Sequence, residues 1–171
     1  MAAENNPAAV RETVTQAYKG TFSFTSPGSG GNYAANDAVG PTGGGAAALE
    51  FANMGPKGAE VIITSVWLRI DATALISGEG SYRFALFNIA PPSGLADNAA
   101  FTLAAGDRDS FLGFVDIGTP VTQGQSLWVE SNGLLKQVTL SSAGIWAYLL
   151  TAGVYAPASR VFTGGIKTML V

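Results

Sequence analysis

Short apolar runs with a period of two, separated by turn residues, dominate this chain. Helical periodicity is nearly absent, which is the pattern of an all-β sandwich or barrel. The heaviest run, residues 59–71, is rich in β-branched side chains. Its even positions Ile62, Val66, Leu68 and Ile70 predict one apolar face, with Ser65, Arg69 and Asp71 opposite, although the start of the run is apolar on both faces. Residues 81–88 follow, with Tyr82, Phe84 and Leu86 on one side and Arg83, Ala85 and Phe87 on the other. The connection Ser77-Gly78-Glu79-Gly80 predicts that these two runs form an antiparallel hairpin at the centre of a sheet.

Residues 111–117, 127–131, 134–140, 144–151 and 159–170 read as further strands. Between two of them stands Asn132-Gly133, the strongest short hairpin signal in the chain, because both residues tolerate the positive φ of a type I′ turn. Weaker runs at 10–18, 21–25 and 46–51 flank a Gly/Ser/Pro-rich loop at 26–32. Only residues 97–105 predict a short helix, with Asp97 as N-cap and Ala99, Ala100 and Ala104 as helix formers. Residues 1–20 carry little apolar weight beyond Val10, Val14 and Tyr18. The expected organisation is therefore an extended N-terminal arm at 1–20 and a single β-sandwich domain at 21–171.

Charge changes this picture. Charged residues make up 12% of the 171 positions, against ~25% in an ordinary soluble domain. So few charges do not solvate the surface of a monomer, and part of that surface is expected to be covered by a partner. The net charge is −3 and the nine bases are scattered singly, which argues against nucleic acid as that partner. The uncharged stretch 137–159 is long enough to cross a bilayer, but its glycines, its Ser141-Ser142 pair and Pro157 argue against a membrane helix. The first residues lack the basic start and apolar core of a secretory signal, so synthesis in a cytoplasm is expected.

The chain has no His and no Cys, which removes Ser-His-Asp and Cys-His nucleophiles, thiolate or imidazole metal sites and disulfides. The expectation is no enzyme, no cofactor and no metal. Asp107 and Asp109, with Asp97 or Asp116 nearby in sequence, have a spacing seen in calcium loops but lack the glycine and glutamate such loops require. The glycine-rich segment 40–45 lacks the lysine and hydroxyl of a phosphate loop. Trp67, Trp128 and Trp146, with Tyr82, Tyr148 and Tyr155, are candidates for a sugar-stacking platform. Large aromatics within strands more often fill a sandwich core or a seam between subunits.

Three regions taken together resemble structural proteins of tailed bacteriophages. They are Tyr33-Ala34-Ala35-Asn36-Asp37-Ala38-Val39-Gly40; Leu86-Phe87-Asn88 with Pro91-Pro92 and Asp97-Asn98-Ala99-Ala100-Phe101-Thr102; and Phe111-Leu112-Gly113-Phe114-Val115. The resemblance is to the small decoration, or cement, proteins and spans roughly residues 30–170. It implies a jelly-roll antiparallel β-sandwich, a homo-oligomer of three copies (two being the lesser alternative), and binding to the major capsid protein on the outer surface of the virion. In that reading the arm residues Val10, Arg11, Val14 and Tyr18 are the candidate capsid or subunit contacts. Similar β domains occur in tail, baseplate and adhesin modules, so a carbohydrate-binding module is the alternative.

Overall fold

The structure, a computed structural model, describes residues 16–43 and 47–171. Its strands are β1 (Ala17–Thr25), β2 (Ala38–Val39), β3 (Leu49–Phe51), β4 (Glu60–Ile70), β5 (Tyr82–Phe87), β6 (Phe111–Gly118), β7 (Val121–Thr122), β8 (Leu127–Thr139), β9 (Ile145–Thr151) and β10 (Val161–Leu170). They build two antiparallel sheets. The first has the order β1-β10-β4-β8-β7 and the second β2-β9-β5-β6, with β3 also pairing β9. If β2 and β3 count as one interrupted strand and the two-residue β7 is set aside, the first strand pairs with the last, the second with β9, β4 with β8 and β5 with β6. That nesting is one long hairpin rolled on itself, which is the jelly-roll sandwich the resemblance implies.

The hairpin expected between residues 59–71 and 81–88 does not form. β4 lies in the first sheet and β5 in the second, so the glycine-rich turn carries the chain across the sandwich. The expected alternation in β4 also breaks. Val61 and Ile63 enter the core before residue 64, and Val66, Leu68 and Ile70 enter it afterwards. Thr64 is the extra residue of a β-bulge, opposed by register shifts in both neighbouring strands. The bulge inverts the facing of everything before it, so Ile62 points outward with the odd positions that follow.

Asn132-Gly133 is not a hairpin either. β8 runs straight through it, with Asn132 opposite Ser65 and Lys136 opposite Ile63. The positive φ of 73° at Gly133 is used for a bulge, and Leu127 and Val138 on either side both remain in the core. The helix expected at 97–105 is absent: Asn98 has a φ of 59°, outside the right-handed helical region, and the Asp97 carboxylate bonds elsewhere. The short helix is a 3-10 turn at Ala105–Ser110. Finally, β1 starts at Ala17, so a boundary after residue 20 cuts through a strand; Tyr18 belongs to the sheet, opposite Thr168.

The main core lies between the sheets, where Phe51, Phe84, Leu86 and Phe162 are fully buried. Each contributes about 1.5–3 kcal/mol relative to exposure. A second, smaller core lies on the outer side of the second sheet. There Ala85, Phe87, Tyr148 and Leu150 are covered by Leu95, Phe101 and Leu103 from the β5–β6 connection. That connection is held down along its length: Ala47 N–H donates to Leu95 O, Asn98 N–H to Ala38 O and Phe101 N–H to Asn36 O. One broad face of the sandwich is thereby closed and the outer face of the first sheet is left open.

Candidate interaction surface

The open face presents rows of side chains set by strand register. Thr21, Gly165, Trp67 and Glu130 lie in one row across β1, β10, β4 and β8, and Lys19, Lys167, Ser65 and Asn132 in the next. Gly165 organises the face. A Cβ there would stand 2.4 Å from Trp67 Nε1, so only glycine allows the indole to lie flat over β10. Trp128 stacks on Trp67 at 5.0 Å between centroids, and Lys19 Nζ lies 5.5 Å from the Trp67 ring centre.

Lys19 and Lys167 oppose each other directly across β1 and β10. Their repulsion is relieved in two directions, since Lys19 reaches over Gly165 to Trp67 and Lys167 pairs with Glu130 at 3.1 Å. Beside them a cleft of about 240 Å³ is lined by Ala17, Tyr18, Lys19, Thr64, Lys167 and Met169. Both ammonium groups at its rim already have partners, so it is not built as an anion site.

None of the three tryptophans lies between the sheets. Trp67 and Trp128 stand on the open face, with Trp67 only 8% exposed, while Trp146 packs at the second sheet's outer core. Of the two places expected for them, the sandwich core and a seam between subunits, the space between the sheets is thus ruled out. β10 supplies the glycine that gives Trp67 its place, and the Gly164-Gly165 pair inside a strand was the available sequence signal. The tyrosines do not join a platform. Tyr82 and Tyr155 point inward, and their hydroxyls lie 3.2 Å apart.

Those tyrosines belong to a buried polar cluster at one end of the sandwich. Glu79, in the β4–β5 crossing, accepts from Tyr82 Oη, from Ile76 N–H at 2.7 Å and from Arg160 Nη1 at 2.8 Å. Nearby, Tyr33 Oη donates to Asp97 Oδ1 at 2.8 Å, and Gly40 N–H donates to the same oxygen. Burial raises the phenol pKa of Tyr33, Tyr82 and Tyr155 well above 10; the Asp97 acceptor adds to the effect at Tyr33, as Tyr155 and Glu79 do at Tyr82. The cluster crosslinks loops and leaves no free nucleophile.

Asp107 and Asp109 do not converge. Asp107 is buried and its carboxylate accepts from Ser93 N–H and Oγ, pinning the covering loop, whereas Asp109 is exposed. No group of three or more acidic residues able to hold a metal occurs among the described residues. Of the predicted contact residues, Val10, Arg11 and Val14 lie outside the described residues, and Tyr18 lines the cleft beside Lys19. No helix among the described residues is long and apolar enough to cross a membrane.

Sequence reasoning missed the apolar side chains that remain uncovered. Leu135 is 82% exposed on the β8 bulge, Val121 58% on β7 and Phe114 40% on β6, where Arg83 lies 4.1 Å over the Phe114 ring. Leu135 and Val121 belong to the first sheet, whereas Phe114 belongs to the second and packs against Phe101 and Phe111.

No protein-family model matches the chain, and no curated protein matches it. Among solved structures it is similar to a chain of the cyanophage Pam1 capsid asymmetric unit, with 11% identity over 100% of this chain and 97% of that one and a TM-score of 0.37. It is similar also to the capsid of Helicobacter pylori bacteriophage KHP30, with 12% identity over 91% and 93% of the two chains and a TM-score of 0.33. A third similarity is to the CBM22-1–GH10 modules of Clostridium thermocellum xylanase 10B, with 9% identity over 86% of this chain and 24% of that one and a TM-score of 0.34.

Proposed function

We propose that this chain is a virion structural protein that binds the outside of a phage capsid as a homo-oligomer and cements adjacent capsomers. The observation that carries the reading is a jelly-roll chain with 12% charged residues that leaves Leu135, Val121 and Phe114 exposed. Uncovered apolar side chains on a charge-poor sandwich fit a protein whose working state buries them against a shell and against its own copies. In this reading the chain is not an enzyme and takes no cofactor. The test is sedimentation of the purified chain with capsids that lack it. Saturable co-sedimentation together with greater capsid resistance to heat is expected, and failure to bind overturns the reading.

A second reading is a carbohydrate-binding tail or adhesin module. The Trp67–Trp128 pair on the open face favours it, because indole faces stack on sugar rings. Binding on a glycan array with matching quenching of tryptophan fluorescence would select this reading over the first.

A further inference from the structure

We infer that the free edge of β1 is a two-fold self-association site, at which β1 of a second copy pairs antiparallel and joins two five-stranded sheets into one. The inference deepens the homo-oligomer part of the proposed function and rests on it. It also replaces the expected trimer with a dimer.

The hydrogen-bond parity of β1 is fixed at both ends. Leu170 N–H donates to Gln16 O, and Ser26 N–H donates to Arg160 O, so the even residues of β1 turn their backbone groups to β10. The odd residues Ala17, Lys19, Thr21, Ser23 and Thr25 turn theirs to the outside. Thr25 O confirms the parity by accepting from Thr42 N–H, which also closes that end of the edge. Among the described residues the outward groups of Ala17, Lys19, Thr21 and Ser23 have no backbone partner.

Edges of this kind are commonly protected by a lysine. Here the lysine is withdrawn, because Lys19 reaches inward across Gly165 to Trp67, and Ala17, Thr21 and Ser23 are small and uncharged. A two-fold axis at Gly20 sets Ala17 opposite Ser23 and Lys19 opposite Thr21. This register uses the outward groups of all four residues and places no lysine directly opposite another.

The test combines size exclusion with light scattering, edge variants and cysteine crosslinking. The wild type is expected to be a dimer at micromolar concentration. Thr21→Pro removes an outward N–H and no β10 bond, and Ser23→Lys places a charge on the edge without touching the backbone. Each loses or repels contacts twice per dimer and should weaken dimerisation roughly tenfold or more. The chain has no cysteine of its own. The double variant Ala17→Cys with Ser23→Cys should form a covalent dimer on mild oxidation, whereas either single variant should not. Within one chain the two positions are about 20 Å apart, too far for a disulfide.

A trimer, or a dimer indifferent to Ser23→Lys and without the double-cysteine crosslink, overturns β1 pairing and leaves the homo-oligomer reading standing. A monomer overturns both, while capsid binding is still read by sedimentation. If Thr21→Pro fails to fold, Ser23→Lys and the crosslink decide.

Discussion

Trp67 occupies the space that a side chain at residue 165 would fill, and Lys19 crosses that same gap to reach the indole. Gly165→Ala should therefore lift Trp67 from β10, costing about 1–3 kcal/mol. A lower urea midpoint with a red-shifted tryptophan emission is the expected result. An unchanged midpoint would mean that the indole has another place to lie.

Glu79 is wholly buried at its side chain and Arg160 nearly so. Arg160→Ala leaves the carboxylate without its cation and should destabilise the fold by about 3–5 kcal/mol. Glu79→Gln should cost less, because an amide oxygen in the Oε2 place still accepts from Ile76 N–H and Arg160 while the amide NH2 donates to Tyr82 Oη. Denaturant titrations of the two variants rank them.

Tyr33, Tyr82 and Tyr155 keep their phenol protons in the folded state far above the usual range. The unfolded chain releases those protons near pH 10 and the folded chain does not, so stability is complete below about pH 10 and falls as pH rises beyond it. Tyrosinate absorbance should appear together with loss of circular dichroism in one alkaline transition. Smooth ionisation of all tyrosines in a folded protein would contradict this.

Asp107 holds Ser93 and so anchors the loop that covers Phe87 and Tyr148. Asp107→Ala should cost about 1–3 kcal/mol and speed amide exchange in residues 88–104 ahead of the first sheet. Added calcium or EDTA should leave the melting temperature of the wild type unchanged, since the carboxylate is already engaged.

Deleting residues 1–15 should spare the fold and its thermal stability. Deleting residues 1–20 removes the first four positions of β1 and their pairing with β10, and should lower the melting temperature. Equal melting temperatures for the two truncations would show that β1 before Thr21 adds nothing to the sheet.

The sandwich class was legible because most strands alternate cleanly; in β5, Tyr82, Phe84 and Leu86 enter one core while Ala85 and Phe87 enter the other. Pairing partners were not legible. A run such as 59–71 shows one inward face after residue 65, but neither the bulge at Thr64 that inverts the facing before it nor which sheet receives it, and the Ser77–Gly80 turn serves a crossing as well as a hairpin. Local signals were overridden where the chain was held on both sides: Asn132-Gly133 became a bulge because β8 pairs β4 before and after it. Asp97 does not cap a helix because Tyr33 and Gly40, distant in sequence, take its carboxylate. The open face depended on Gly165 standing beside Trp67, a neighbour relation that exists only once β10 has paired with β4.

The joining of the first strand to the last also sets the order of assembly. Ser23 and Thr163 meet across 140 residues of chain, and β10 is itself the bridge between β1 and β4. While the chain is being synthesised, β1 lacks its partner until residues 161–170 have emerged, so the entropy of closing that long loop is met late and in one step. Folding should accordingly be slow and all-or-none, with β1 as the final strand to dock and its edge open to other chains in the meantime.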